Sequence, residues 1–151
     1  ITLGKAAAGY GAFIATTPKI HAYLVNCARS FIFSTALPPS VVAWDLLMIE
    51  KLHGMQRERM HLRELSEWFR HEIEFITGRK NQSQSQIIPV HAGSAEKAIK
   101  MADILRESGI DALPIRRPTV AAGTERLRLS LSANLEREDL TPALSVLGKL
   151  M

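Results

Sequence analysis

The sequence predicts an α/β fold on three observations. From residue 87 onward short apolar strands alternate with helices: Ile87 to His91, a helix opened by Ser94 and closed by Gly109, then Ile110 to Ile115. Glu125 to Ser132 alternates strictly, with Leu127, Leu129 and Leu131 on one face and Arg126, Arg128, Ser130 and Ser132 on the other, as expected of a half-buried strand. Before residue 78, apolar residues recur at helical spacing over long stretches.

Taken in order, Ile1 to Gly11 is a lysine set among small residues: Ile1-Thr2-Leu3-Gly4-Lys5-Ala6-Ala7-Ala8-Gly9-Tyr10-Gly11. Small neighbours let a bulky group approach the backbone, and the Thr2 hydroxyl can turn toward the same place as the Lys5 amine. The run matches neither G-x-x-x-x-G-K-[ST] nor G-x-G-x-x-G, so a nucleotide-phosphate loop is not indicated. Thr17-Pro18 reads as an N-cap and first helical residue, followed to Phe31 by Ile20, Tyr23, Leu24 and Cys27 at helical spacing. Phe31 to Pro39 reads as extended, because a residue before proline is driven from the helical region. Ser40 is expected to cap a helix through Trp44, Leu47, Met48, Leu52 and Met55, and a third helix follows Gly54 with Leu62, Leu65, Phe69, Ile73 and Ile76 on one side.

Gly78 to Gln86, rich in Asn, Gln, Ser and Lys, is a loop that marks a change of architecture, and Pro89 suits Ile87 to His91 to a sheet edge. The last helix carries Leu140, Leu144, Leu147 and Leu150. Pro142 allows two starts, one behind Thr141 and one near Glu136 with the proline inside.

Of 151 residues, 46% are hydrophobic and 23% charged, ordinary for a globular protein, and no stretch is long and apolar enough to suggest a membrane span. The chain starts without methionine and in what reads as mid-domain sequence, so a segment of a longer chain is expected. Cys27, the single cysteine, leaves no internal disulfide, makes the cytoplasm the default and is expected to be a small buried hydrophobe. The net charge of +4 suits a phosphorylated ligand or coenzyme A, or reflects a missing acidic half. The mixed-sign charges of the third helix point to a solvated face and not to nucleic acid. His53, His61 and His71 lack metal-ligand spacing, so no metal is expected.

Five pieces occur in order: Thr2-Leu3-Gly4-Lys5-Ala6; Gly9-Tyr10-Gly11-Ala12; Arg29-Ser30-Phe31-Ile32-Phe33-Ser34-Thr35-Ala36-Leu37-Pro38-Pro39; Ser85-Gln86-Ile87-Ile88-Pro89-Val90; and Arg116-Arg117-Pro118-Thr119-Val120 through Gly123 to Leu129. Together they resemble the C-terminal part of the α-oxoamine synthases. The Gly-Tyr-Gly-Ala, Phe-Ser-Thr-Ala-Leu-Pro-Pro and Pro-Thr-Val runs favour the biotin-pathway branch. The resemblance implies a homodimeric pyridoxal-phosphate (PLP) enzyme of the aspartate-aminotransferase-like fold, fold type I. Residues 1–49 would end its large cofactor domain, and 50–151 would be connecting helices and a small C-terminal α/β domain. It implies decarboxylative condensation of L-alanine with pimeloyl-CoA or a pimeloyl carrier protein. Lys5 matches the Schiff-base lysine and later base, and Thr2 a phosphate-binding threonine. Ser34 and Thr35 match a segment reaching the partner subunit's cofactor phosphate. Arg128 matches the arginine that pairs with the amino-acid carboxylate; spacing alone leaves Arg126 equally eligible. Thr119 and Arg116 match substrate-binding positions, with Arg117 standing where the family commonly has proline. The alternatives are a 2-amino-3-ketobutyrate CoA ligase using glycine and acetyl-CoA, or a non-catalytic α/β module.

Overall fold

A computed structural model describes all 151 residues, which divide into two compact units, 1–56 and 57–151. Residues 49 and 50 both lie within one helix, and the two compact units divide near the end of that helix, after residue 56.

The first unit holds α1 (Pro18–Cys27), α2 (Arg29–Ile32) and α3 (Pro39–Gly54) behind an N-terminal hairpin-like loop. Pro18 and Pro39 each occupy the first helical position, where a fixed φ and a missing N–H cost nothing. The expected Thr17–Phe31 helix is interrupted at Ala28 (ψ 103°), and α2 resumes for a single turn. Phe31 and Ile32 are therefore helical and not extended, because the restraint of the proline pair reaches only Leu37 and Pro38. Pro38 holds the N-cap position of α3 and Ser40 lies inside its first turn, which corrects the expected cap.

This unit buries two apolar side chains, Leu3 and Ala7, and leaves Tyr23, Phe31, Phe33, Trp44, Leu46 and Leu47 exposed. Cys27 is exposed as well, contrary to expectation, and α1 contains no buried residue. The apolar spacing of α1 marks a face to be covered, and within this unit nothing covers it.

The second unit has its own core. It comprises α4 (Gln56–Thr77), β1 (Ile87–His91), α5 (Ala95–Glu107), β2 (Leu113–Ile115), β3 (Arg126–Ser130) and α6 (Arg137–Leu150). The sheet runs β1-β3-β2 with both pairings antiparallel, so β3 is central and β1, carrying Pro89, is an edge as expected. Ile88, Val90, Leu127 and Leu129 pack with Leu65, Phe69 and Ile73 of α4, Ala98, Met101 and Leu105 of α5, and Leu140 and Leu147 of α6. Burying one such side chain is worth roughly 1.5–3 kcal/mol, so this cluster dominates the unit's stability.

Ser94 caps α5 by accepting the Lys97 amide at 3.1 Å. At its other end Gly109 (φ 77°) lets Ile110 N donate to Leu105 O at 2.9 Å and Gly109 N to Arg106 O at 2.9 Å. That turn consumes Ile110, and β2 is limited to Leu113–Ile115 in place of the expected Ile110 to Ile115. α6 begins at a capping box between Glu136 and Asp139, which places Pro142 inside the helix. His61 Nε2 lies 2.9 Å from the Leu135 carbonyl oxygen and ties α4 to the entry of α6. No helix is long and apolar enough to cross a membrane.

Candidate functional site

Lys5 stands at the apex of the N-terminal loop. Leu3 N donates to Gly11 O at 3.0 Å, Phe13 N to Ile1 O at 2.9 Å, and Thr2 bridges Ala12 in antiparallel fashion, so two short arms pair. Between them Ala8 N donates to Lys5 O at 2.9 Å and closes a turn over Lys5-Ala6-Ala7-Ala8, with Ala8 at φ 47°. Leu3 and Ala7 point inward, and Thr2 and Lys5 are exposed. The Lys5 amine has no carboxylate partner and no hydrogen bond.

α3 fixes the shape of this loop. Trp44 Nε1 donates to the Ala8 carbonyl at 2.9 Å, and buried Asp45 accepts the Tyr10 amide through Oδ1 at 3.2 Å. A Cβ on Gly9 would overlap Asp45 Oδ1; one on Gly11 (φ 89°) would lie 2.9 Å from Leu37 Cδ1. Glycine is thus required at both positions by the approach of α3 and of the segment before it. Sequence reasoning did not single out Asp45. Its signal was a lone acid between Trp44 and Leu46 in an otherwise apolar stretch of helix.

Ser34 and Thr35 follow α2 and are both exposed. Ser34 Oγ donates to the Ser30 carbonyl, so its single proton is already engaged, whereas the Thr35 hydroxyl has no partner.

In the second unit, Arg126 and Arg128 share the sheet face opposite the core. Arg128 pairs with Pro89 on β1 and Leu113 on β2, at the middle of the sheet, and is exposed. Arg126 pairs with His91 and Ile115 at the sheet's end, is half-buried, and donates through Nε to the Thr124 carbonyl at 2.8 Å. The two arginines, equivalent in spacing, thus differ in surroundings: Arg126 is anchored and Arg128 is free of protein partners. Arg116 and Thr119 follow β2 in one turn, in which Thr119 N donates to Arg116 O at 3.0 Å and Pro118 follows a cis peptide bond. Both side chains are exposed. The structure therefore brings Thr2 together with Lys5 on one loop, and Arg116 together with Thr119 on one turn beyond the strand paired to Arg128.

Comparison with known proteins places the chain. The sequence family described as aminotransferase class I and II matches residues 1–147. A putative 8-amino-7-oxononanoate synthase of Glaesserella parasuis is 41% identical over 146 residues, covering 97% of this chain and 38% of the relative. An 8-amino-7-oxononanoate synthase of Haemophilus ducreyi is 40% identical with the same coverage, so the chain spans about two-fifths of the length of these curated relatives. Among solved structures, 8-amino-7-oxononanoate synthase of Francisella tularensis superposes with a TM-score of 0.85 at 31% identity, over 98% of this chain and 43% of that one. Serine palmitoyltransferase of Sphingomonas wittichii gives 0.87 at 29%, over 99% and 38%. A structure of SPT with its PLP internal aldimine gives 0.87 at 27%, over 99% and 38%. The exposed lysine loop and the arginine strand thus lie on a fold-type-I scaffold built around PLP, and the chain belongs to the aminotransferase class I and II family.

Proposed function

We propose that the chain is the C-terminal part of a PLP-dependent 8-amino-7-oxononanoate synthase, which condenses L-alanine with a pimeloyl thioester of CoA or of a carrier protein. Carbon dioxide and the free thiol leave. The observation that carries this reading is Lys5: a partnerless amine at the apex of a loop of small residues, in a chain aligned over 97% of its length with relatives of that name. The residues present fit the cofactor. Gly4, Ala6 and Ala8 leave room beside the lysine, and the Thr2 hydroxyl lies on the same loop. PLP, when bound, supplies the electron sink that makes a carbanion accessible at the amino acid's Cα.

The chain's own residues do the rest. Lys5 holds the cofactor and, once displaced by the amino acid, takes the Cα proton on Nζ, for which the amine must be neutral. No acid within the chain pairs with it. Thr2 donates to the cofactor phosphate. Thr35 is the better placed of the hydroxyl pair to do so for a second subunit, because the Ser34 proton is spent on Ser30. Arg128 receives the alanine carboxylate, its guanidinium unspent and two-pronged; Thr119 and Arg116 contact substrate from their shared turn. Residues 1–49 close the large domain and 50–151 form connecting helices and small domain, in a cytoplasmic homodimer.

Thiol release by the full-length protein tests this. Alanine with pimeloyl-CoA should release thiol and carbon dioxide. Release with glycine and acetyl-CoA instead would make the protein a 2-amino-3-ketobutyrate CoA ligase. Release with serine and palmitoyl-CoA would align it with the serine palmitoyltransferase neighbours, and no release from any pair would leave a non-catalytic module.

A further inference from the structure

At the end of the sheet where Arg126 lies, the loop after α4, the end of β1 and the turn before β3 line an open cleft of about 360 Å³. Three basic side chains line it, those of Arg79, Lys80 and Arg126, and no carboxylate does. None of the three forms an ion pair within the protein. Glu74, close by on α4, is turned to the Asn81 amide (2.8 Å) and toward His71 Nδ1 (3.6 Å).

The cleft's donors are held in place. Arg79 Nη1 lies 2.9 Å from His91 Nδ1, and His91 Nε2 lies 2.9 Å from the Gly123 carbonyl oxygen. A guanidinium only donates, so Nδ1 is the acceptor and Nε2 carries the proton given to Gly123. His91 therefore clamps Arg79 to the turn before β3. Arg126 is clamped through Nε to Thr124, and Asn81 through Nδ2 to the Pro89 carbonyl at 2.8 Å. Each guanidinium spends one N–H on the protein and keeps the others. Gathering three like charges in one cleft is unfavourable without a counter-charge, and oriented guanidinium forks match the oxygens of an oxyanion.

We propose that this cleft is a second anion site, one that takes the phosphate or carboxylate group of a small molecule. Its volume is in the range of small-ligand sites. Arg128 does not line it, and the cleft adjoins the position given to Arg128 only at Pro89, the residue paired with Arg128 on β1. The assignment does not depend on the condensation proposed above.

Calorimetric titration of the PLP-saturated full-length protein with inorganic phosphate and with succinate, at constant ionic strength, tests it. Constant ionic strength removes general screening as a cause of any difference. Saturable binding of either anion is expected, weakened about tenfold or more in Arg79→Gln/Lys80→Gln, whose two altered side chains are both exposed. Phosphate binding alone would point to a phosphorylated ligand and succinate binding alone to a carboxylate. Equal affinity in parent and double variant, or saturable binding of neither anion, would overturn the proposal.

Discussion

Asp45 Oδ1 accepts the Tyr10 amide at 3.2 Å across 35 residues of chain, and the same oxygen occupies the space that a side chain on Gly9 would need. A buried acid on α3 thereby dictates both the sequence and the conformation of the loop that presents Lys5. The acid and the glycine are two halves of one contact.

Gly9→Ala should force the loop or Asp45 to move, at a cost of about 1–3 kcal/mol, the usual range for overpacking. Cofactor retention on gel filtration should fall with it. In Gly9→Ala/Asp45→Ala the obstructing carboxylate is gone, so the double variant should lose less stability than the sum of the single changes. Thermal unfolding of the four proteins measures that coupling, and strict additivity would mean that the two positions do not meet.

Arg128→Ala should weaken alanine binding by roughly 1.5–3 kcal/mol, as expected for the loss of a charge-assisted contact. Arg126→Ala should leave alanine binding largely intact, because its contact with Thr124 holds that guanidinium at the sheet's end, two residues along β3 from Arg128. Spectral titration with alanine compares them, and the opposite order would move the carboxylate role to Arg126.

Ser94→Ala removes the acceptor of the Lys97 amide and should cost about 1 kcal/mol at neutral pH. Ser94 also contributes to a second effect. Glu96's own backbone amide, and after it the Ser94 hydroxyl, hold the Glu96 carboxyl below its ordinary range. A depressed carboxyl stabilises the fold above its unfolded pKa, and that contribution is lost as pH falls through the folded value. The stability gap between the parent and Ser94→Ala should therefore narrow in acid. Denaturant titrations at neutral pH and on the acid side of the carboxylate range would show it.

Legibility in the sequence followed how local each determinant is. The alternation of Leu127, Leu129 and Leu131 with Arg126, Arg128 and Ser130 needs only the strand's own period, and β3 is where it was expected, with those leucines buried. Ser94 and Gly109 bound α5 because capping is a contact within a few residues. Pro142 was undecidable from its own neighbourhood, and the reciprocal Glu136–Asp139 box is what starts α6 upstream of it. Cys27 is exposed where the sequence marks it as buried, because helical spacing tells that a face is apolar and not that anything in the same unit covers it. The Lys5 loop was legible as a run of small residues around an amine. Its support by Trp44 and Asp45 spans more than 30 positions and left no local pattern. Arg126 and Arg128 are indistinguishable by period, since both point to the same face; their burial, their place along the sheet and the Thr124 contact separate them, and none of these is local to the strand's pattern.

The central claim is that Lys5 carries the cofactor. Borohydride reduction of the full-length protein in the presence of PLP, followed by intact-mass measurement and peptide mapping, tests it most directly. One reduced pyridoxyl adduct per chain on the Lys5 peptide, absent in Lys5→Ala, is the predicted result. An adduct on another lysine, or none on the parent protein, would contradict it.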